Sequence, residues 1–473
     1  MNVALSPGIA LAILIFFGLL WVAFGYYLGR KNKSLDDYML AGRNVGLAFA
    51  SATAMATWVT SNTTMTAPQL TYQLGVWGMV GYSLGAVGLL LFAPLAARIK
   101  SILPHGFTSG DFIRRRYGHT AWRIFLTISL FYALGWLISL GMAGGILVNA
   151  LSGLDYHIGM SVILLVCVTY TLLGGLRAVI ATDFIQTIII IVGVTIIAIL
   201  VIQNIGFESI HSKLSSDHPQ LLNLLFPAAL MFLFNNLLFG VGEIFHSNVW
   251  WSRAFAFRKN IGARAYFIAG ICWLPIPIAA GFVALAAPSL GIIVPSADMV
   301  GPLVAGRLLG TVGAIIVFIV VFSALASSLD SLLAATADLI TQDIYRGHFK
   351  PSASDADCFK TGKVIIVSLG LFTWLLCLPR LTTLASLLYF TGAFVASAIW
   401  PIVFGLYFRW PGKLAASLAM LSGTAIGLWS YFYIGFYVAA LVSCAVSLVV
   451  ILVFSLPGKE SFDFKQLEVD DRS

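Results

Sequence analysis

The sequence predicts an all-α protein that crosses a lipid bilayer many times, and three observations carry that reading. Of 473 residues, 60% are hydrophobic and only 10% charged, whereas soluble domains run at roughly a quarter charged. Apolar runs of about 18–25 residues recur from end to end, each long enough to span the hydrocarbon core. Only helices and closed barrels satisfy their backbone in lipid, and these runs lack the alternation of barrel strands.

About thirteen spans follow, near 7–29, 44–66, 70–97, 121–150, 157–176, 180–203, 222–250, 262–287, 309–342, 362–379, 382–408, 413–432 and 434–456. The first run, Ile9 to Leu28, ends in Arg30, Lys31 and Lys33 and has no small-residue cleavage site. It reads as a retained span rather than a signal peptide. With the N-terminus outside, all but Lys213, Arg307 and Arg380 of the 27 Lys and Arg residues fall on the inner connections or the tail. The positive-inside rule then sets the N-terminus outside and the C-terminus in the cytoplasm. The formal charge of +8 faces the anionic cytoplasmic leaflet, so it implies no nucleic-acid partner. The five cysteines (Cys167, Cys272, Cys358, Cys377, Cys444) are scattered, with no spacing that suggests a metal site or disulfide framework. No hydrophilic stretch is large enough for an enzyme domain, and no nucleophile–base or metal-ligand constellation appears, which disfavours an enzyme. The residues after Leu456 form a short tail, expected to be disordered or surface-bound.

Two spans are unusual. The stretch "ASATAMATWVTSNTTMTAP" in 44–66 and its flank is studded with hydroxyls and Asn62, and 222–250 contains Asn235, Asn236, Gly240, Gly242, Glu243, His246 and Asn248. Glycine and polar groups favour local unwinding, tolerated at membrane depth only where the backbone lines a cavity. The two lie five spans apart, which divides a single transmembrane domain, 1–473, into five-helix repeats over 44–203 and 222–408. Helix 7–29 precedes them, helices over 413–456 trail, and 457–473 is the tail. Inverted repeats that open with broken helices, and a site between them near the midplane, describe a secondary transporter. The plainer alternative is two polar-flecked helices inside a bundle.

The broken spans supply candidate solute contacts: Thr63, Gln69 and Tyr72 on the first, and Asn235, Asn236, Glu243 and Trp251 on the second. Amides and hydroxyls suit a small polar solute, and aromatic faces close over a planar one. Glu243 precedes Arg253 by ten residues, hence about 15 Å by helix rise. It could hold an amine, a proton or Arg253.

Span 309–342 contains "FSALASSLDSLLAATADLITQDIY", Phe322 to Tyr345. Ala324, Ser327, Ser328 and Ser331 share one helical face. A bland reading is a tight helix seam whose hydroxyls bond back to carbonyls one turn earlier. Asp330 adds to it: a carboxylate at the bilayer centre costs roughly 2.5–3.5 kcal/mol and usually marks an ion path. Serine hydroxyls with the carbonyls of an unwound helix make a neutral oxygen cage suited to a hard cation such as Na+.

Four motifs carry a family resemblance: "HGFTSGDFIRRRYG" (His105 to Gly118), "TLLGGLRAVIATDFIQTIIIIVG" (Thr171 to Gly193), "NVWWSRAFAFRKN" (Asn248 to Asn260) and "SSLDSLLAATADLITQDIYR" (Ser327 to Arg346). In this order they resemble the sodium:solute symporter family over residues about 40 to 350. The resemblance implies a LeuT-like five-plus-five inverted repeat with one preceding and two trailing helices, placed in the plasma or inner membrane. It implies Na+ as coupling ion, held by the carbonyls of Ala56, Val59 and Ala324 and the hydroxyls of Ser327 and Ser328. Asp183, Asp330 and Ser331 occupy the positions of a second site, for sodium or a proton, with Asp330 where members usually show a hydroxyl. Asp183 has a plainer reading as a helix N-cap beside Thr182.

"TYQLGVWGMVGYSLGA" (Thr71 to Ala86) and the pair Trp250-Trp251 are similar to the urea-transporter branch. Ser247 departs from it, standing where that branch usually has Asp, and Arg253 is more like the wider family. The function implied is a sodium-coupled importer of a small polar solute, urea or a similar amide. Amino-acid or carboxylate carriage, or proton coupling through Asp330, Asp183 or Glu243, are the alternatives.

Overall fold

Lipid offers a backbone amide no partner outside its own chain, and the molecule is helical accordingly. The computed structural model describes residues 4–30, 32, 34–380, 382–455 and 462–468. Lys31, Lys33, Leu456 and most of the expected tail lie outside them. Among the described residues there is no strand beyond an isolated bridge between Val45 and Phe257, and eleven helical segments are long and apolar enough to cross a bilayer.

In chain order the helices that position the site are α1 (Pro7–Gly29), α2 (Leu47–Trp58), α3 (Ala67–Leu74), α4 (Val76–Ile102), α5 (Ser109–Ser152) and α6 (Tyr156–Ile205). They continue as α7 (Pro227–His246), α8 (Asn248–Ala256), α9 (Gly262–Leu285), α10 (Val300–Leu339), α11 (Asp355–Cys377), α12 (Leu384–Tyr407), α13 (Lys413–Tyr433) and α14 (Ala439–Ser455). Large apolar side chains such as Phe16, Leu165 and Val364 lie exposed, the surface expected of a chain dissolved in lipid. Polar side chains are turned inward: Asp183, Arg253, Ser327 and Asp330 are fully buried.

Helix α6 has 50 residues, about 75 Å if straight, against a hydrocarbon core of about 30 Å. It is not straight. Gly175 adopts φ 61°, ψ −168°, a region open essentially to glycine alone. On either side of it, the Tyr170 hydroxyl reaches the Ala326 carbonyl at 2.9 Å and Asp183 accepts from the Ser327 hydroxyl at 2.5 Å. Positions 170 and 183 would stand about 20 Å apart on a continuous helix, yet they meet neighbouring residues of α10. The chain therefore doubles back at Gly175.

The structure moves one expected boundary. The expected spans 44–66 and 70–97 leave a connection at 67–69. Instead Pro68 sits in the first turn of α3, where its missing N–H has no helical partner to lose. The turn comes at Gly75 (φ 69°, ψ −147°), where a Cβ would lie 1.7 Å from the Leu221 carbonyl oxygen. The described part of the tail lies against the protein, within the surface-bound alternative. Phe462 N–H donates to the Arg409 carbonyl (3.1 Å), the Phe462 and Phe464 rings lie against Arg116 and Arg98, and Leu467 is buried. Cation–π contacts and apolar burial dock this segment.

Gly175→Ala places a methyl group 2.5 Å from the Tyr38 ring in a conformation that costs an L-residue about 1–3 kcal/mol. The purified variant should melt several degrees below the wild type in detergent. An unchanged melting temperature would remove Gly175 as the hinge of α6.

Candidate functional site

The site begins where α2 stops. Val59 leaves the helical region (φ −83°, ψ 85°), and two threonines hold the break. Thr60 N–H donates to Thr63 Oγ1 (3.2 Å), and Thr63 N–H donates to Thr60 Oγ1 (3.1 Å). In a continuous helix those two N–H groups would close on the carbonyls of Ala56 and Val59. The threonine pair therefore strips two carbonyls of their helical donors. The carbonyls between them are engaged: Thr57 O accepts from Ser328 Oγ (3.1 Å), and Trp58 O accepts from Trp273 Nε1 (2.7 Å) and Thr63 Oγ1 (3.1 Å).

Opposite the break stands α10, buried on all sides from Val320 to Leu339. It brings Ser328 to the broken backbone, while Ser327 turns to Asp183. Ser328 Oγ also lies 3.0 Å from the Ala324 carbonyl, so the back-bond of the bland reading exists beside the cross-helix contact. Ser323 Oγ has no hydrogen-bond partner and is packing. The contact of Ser328 falls on Thr57, between the two carbonyls expected from the sequence.

A charged cluster adjoins these hydroxyls. Asp183 Oδ1 accepts from Ser327 Oγ (2.5 Å), and Oδ2 accepts from Thr53 Oγ1 (2.5 Å) and Arg253 Nη2 (3.3 Å). Arg253 Nη2 also donates to Thr57 Oγ1 (2.7 Å) and Ser331 Oγ (2.6 Å), and Nε donates to Thr53 Oγ1 (3.0 Å). The pair is completely buried, so its members depend on each other and on these hydroxyls. Asp183 lies within α6 and caps no helix. Asp330 turns elsewhere: Oδ2 accepts from Tyr170 (2.9 Å), and Oδ1 is buried without a partner among the described residues. Sequence reasoning missed Thr53, Thr57 and Tyr170. The first two carry a signal, as hydroxyls one helical turn apart on an unusually polar span.

A small cavity adjoins the break on its other side, lined by Trp58, Tyr82, Trp136, Asn236, Phe239 and Trp273. The Trp58 and Trp136 rings are nearly parallel, 7° apart, with centroids 6.1 Å apart. Asn236 is the one residue of the expected solute set that lines this cavity. Its Nδ2 donates to the Gly81 and Tyr82 carbonyls (2.7 and 3.1 Å), and its Oδ1 accepts from Tyr389 (2.7 Å). Thr63 is part of the break. Gln69 accepts from Ala385 N–H (3.2 Å), joining α3 to the start of α12, and Tyr72 is half-buried near the end of α3. Asn235 accepts from the N–H groups of Ala440 and Leu441 (2.8 and 3.2 Å) and serves the start of α14. Trp251 donates to the Phe245 carbonyl and packs on Phe112. Its neighbour Trp250 is the one that meets Trp58.

Glu243 is buried, accepting from the Tyr132 hydroxyl and from Trp250 Nε1 (3.0 Å to Oε2). Among the described residues no cation pairs with it, and Arg253 is bound to Asp183 instead. A loop ties the cluster together from the other end of α8. Ser109 N–H donates to Asn248 Oδ1 (3.0 Å), Asn248 Nδ2 to the Ala335 carbonyl (2.8 Å), and Thr108 Oγ1 to Asp343 (2.6 Å).

The sequence pattern of the sodium:solute symporter family matches residues 38–427. Among curated relatives, the urea-proton symporter DUR3 of Oryza sativa subsp. japonica is 25% identical over 90% of this chain and 65% of its own length. The osmoregulated proline transporter OpuE of Bacillus subtilis is 27% identical over 88% of each chain. The urea active transporter of Saccharomyces cerevisiae is 25% identical over 88% of this chain and 61% of its own length. This chain thus spans less than two thirds of the two urea transporters. In fold it superposes on a Na+-coupled sialic acid symporter with a TM-score of 0.78 at 18% identity, over 96% of this chain and 99% of that one. It also superposes on the nucleobase-cation symporter Mhp1 with a TM-score of 0.57 at 14% identity, over 92% and 98%. These neighbours are LeuT-fold transporters.

Asn235→Ala should lower thermal stability, because a lost helix-start acceptor typically costs about 1 kcal/mol, and should leave the KM for solute unchanged. Asn236→Ala should raise that KM. Equal KM effects at the two positions would refute this division of roles.

Proposed function

The chain belongs to the sodium:solute symporter family, and we propose that it is a sodium-coupled importer of a small polar solute, working by alternating access. The observation that carries this reading is the meeting of α2 and α10. The carbonyls of Ala56 and Val59 lack their helical donors, and Ser328 bonds the intervening Thr57 carbonyl. Ala324 and Ser327 lie on the same face of α10. Five neutral oxygens from these residues would replace the hydration shell of a desolvated Na+.

The membrane arrangement is part of the proposal: thirteen spans, the N-terminus outside, the C-terminus in the cytoplasm, and residence in the plasma or inner membrane. The turn at Gly175 within α6 and the break between α2 and α3 support the count. The distribution of Lys and Arg supports the orientation. The repeats over 44–203 and 222–408 each open with a broken helix, α2–α3 and α7–α8. One charge moving through 100 mV releases about 2.3 kcal/mol, so a single ion sustains nearly a fifty-fold solute gradient from the potential alone.

The solute is best read as urea or a similar small amide. The near-parallel Trp58 and Trp136 rings suit a planar group, and the cavity they border is small. Relatives named as urea transporters support the same choice. A proline-like amino acid is the alternative, supported by the relatives named as proline transporters. A specific observation also favours proton coupling as a second reading. Asp330 Oδ1 is buried without a partner, which a proton would relieve.

Uptake into proteoliposomes should collapse when Na+ is replaced by K+ at fixed pH, and Ser328→Ala should raise the Na+ concentration for half-maximal uptake several-fold. Indifference to the replacement would end the sodium reading. A panel of labelled solutes beginning with urea and proline decides the substrate.

A further inference from the structure

The geometry points to Arg253 as a built-in cation that fills the second ion position, so that each solute is coupled to one monovalent ion rather than two. This rests on the sodium-coupled reading above and adds its stoichiometry. The residues that could form a second site are Asp183, Ser327, Asp330 and Ser331, and they do not converge on an empty space. Arg253 Nη2 lies within hydrogen-bond reach of both Asp183 Oδ2 (3.3 Å) and Ser331 Oγ (2.6 Å). Ser327 Oγ is turned to the other oxygen of Asp183, and Asp330 is held by Tyr170. A second Na+ at these oxygens would have to displace a guanidinium that five hydrogen bonds hold in place, to Thr53, Thr57, Val249, Asp183 and Ser331.

The charges give the same count. Asp183, Arg253 and Asp330 are wholly buried, where like charges repel strongly and net charge is costly. Arg253 offsets Asp183. The pair is neutral as it stands, so a Na+ placed among its oxygens would add an unbalanced charge beside a fixed guanidinium. Arg253 also rides on α8, the half of the broken helix whose Trp250 packs on the cavity-lining Trp58. The internal cation therefore moves with the solute-binding element rather than with α10.

The test is the ratio of radiolabelled Na+ to solute entering proteoliposomes, with the Hill coefficient of Na+ activation measured in parallel. The wild type should give a ratio and a Hill coefficient near one. A ratio of two with Na+ dependence intact overturns the inference and leaves the sodium reading standing, whereas uptake without Na+ removes that reading itself. Arg253→Gln, which keeps a hydrogen-bonding side chain without its charge, should raise the ratio toward two. A folded, active Arg253→Gln carrier that still takes one ion shows that the guanidinium is not what excludes the second. Should that variant not fold, Arg253→Gln combined with Asp183→Asn removes the charged pair together. It should keep a ratio of one, and a ratio of two there would show that Asp183 and Arg253 do not set the count.

Discussion

The arrangement depends on how the chain satisfies its backbone where α2 ends. A helix opened at membrane depth exposes carbonyl and N–H groups to a medium that cannot bond them. Here the exposed N–H groups of Thr60 and Thr63 are taken by each other's hydroxyls, a local exchange that needs no neighbouring helix. The carbonyls are treated differently. Those of Thr57 and Trp58 are handed to α10 and α9, and those of Ala56 and Val59 lack their helical donors. Donors satisfied locally and acceptors turned outward make the break electronegative toward its surroundings, as a cation site requires.

The buried charges are placed around that break with little redundancy. A lone charged group in lipid is unstable unless paired or bonded. Asp183 and Arg253 pair, and each collects hydroxyl partners from α2 and α10. Glu243 has hydrogen-bond donors in Tyr132 and Trp250 but no cation. Asp330 has one donor, Tyr170, and one unpartnered oxygen. The carboxylates thus form a graded series, from fully compensated to least compensated. Asp330 lies three residues along α10 from Ser327, beside the serines of the proposed ion cage.

Much of this was legible in the sequence, and what was missed has physical causes. Hydrophobic run length and lysine–arginine placement are one-dimensional properties, so the helices could be found by counting. The polar character of Ala50 to Thr66 marked the break, because lipid tolerates such residues only around a cavity. Asn235 and Asn236 are adjacent and chemically identical, yet helical rotation of about 100° per residue turns one to the start of α14 and the other to the cavity. No local pattern distinguishes them. The tryptophan wall was hidden for a different reason: in a chain with 13% aromatic residues, Trp58, Trp136 and Trp273 stand out only once three distant helices are brought together.

The proposed ion and solute positions are separated by a single peptide step. Thr57 contributes its carbonyl to Ser328 and its hydroxyl to Arg253, while the next residue, Trp58, gives its carbonyl to Trp273 and its ring to the cavity wall. Each peptide plane is rigid and turns only about the φ and ψ of the residues that flank it. An ion held between the Ala56 and Val59 carbonyls would bear on the peptides of Thr57 and Trp58 that join them. A solute against the Trp58 ring would bear on the same stretch. Coupling here needs no long path through the protein, because one short length of unwound backbone belongs to both positions, and whatever orders it for one ligand orders it for the other.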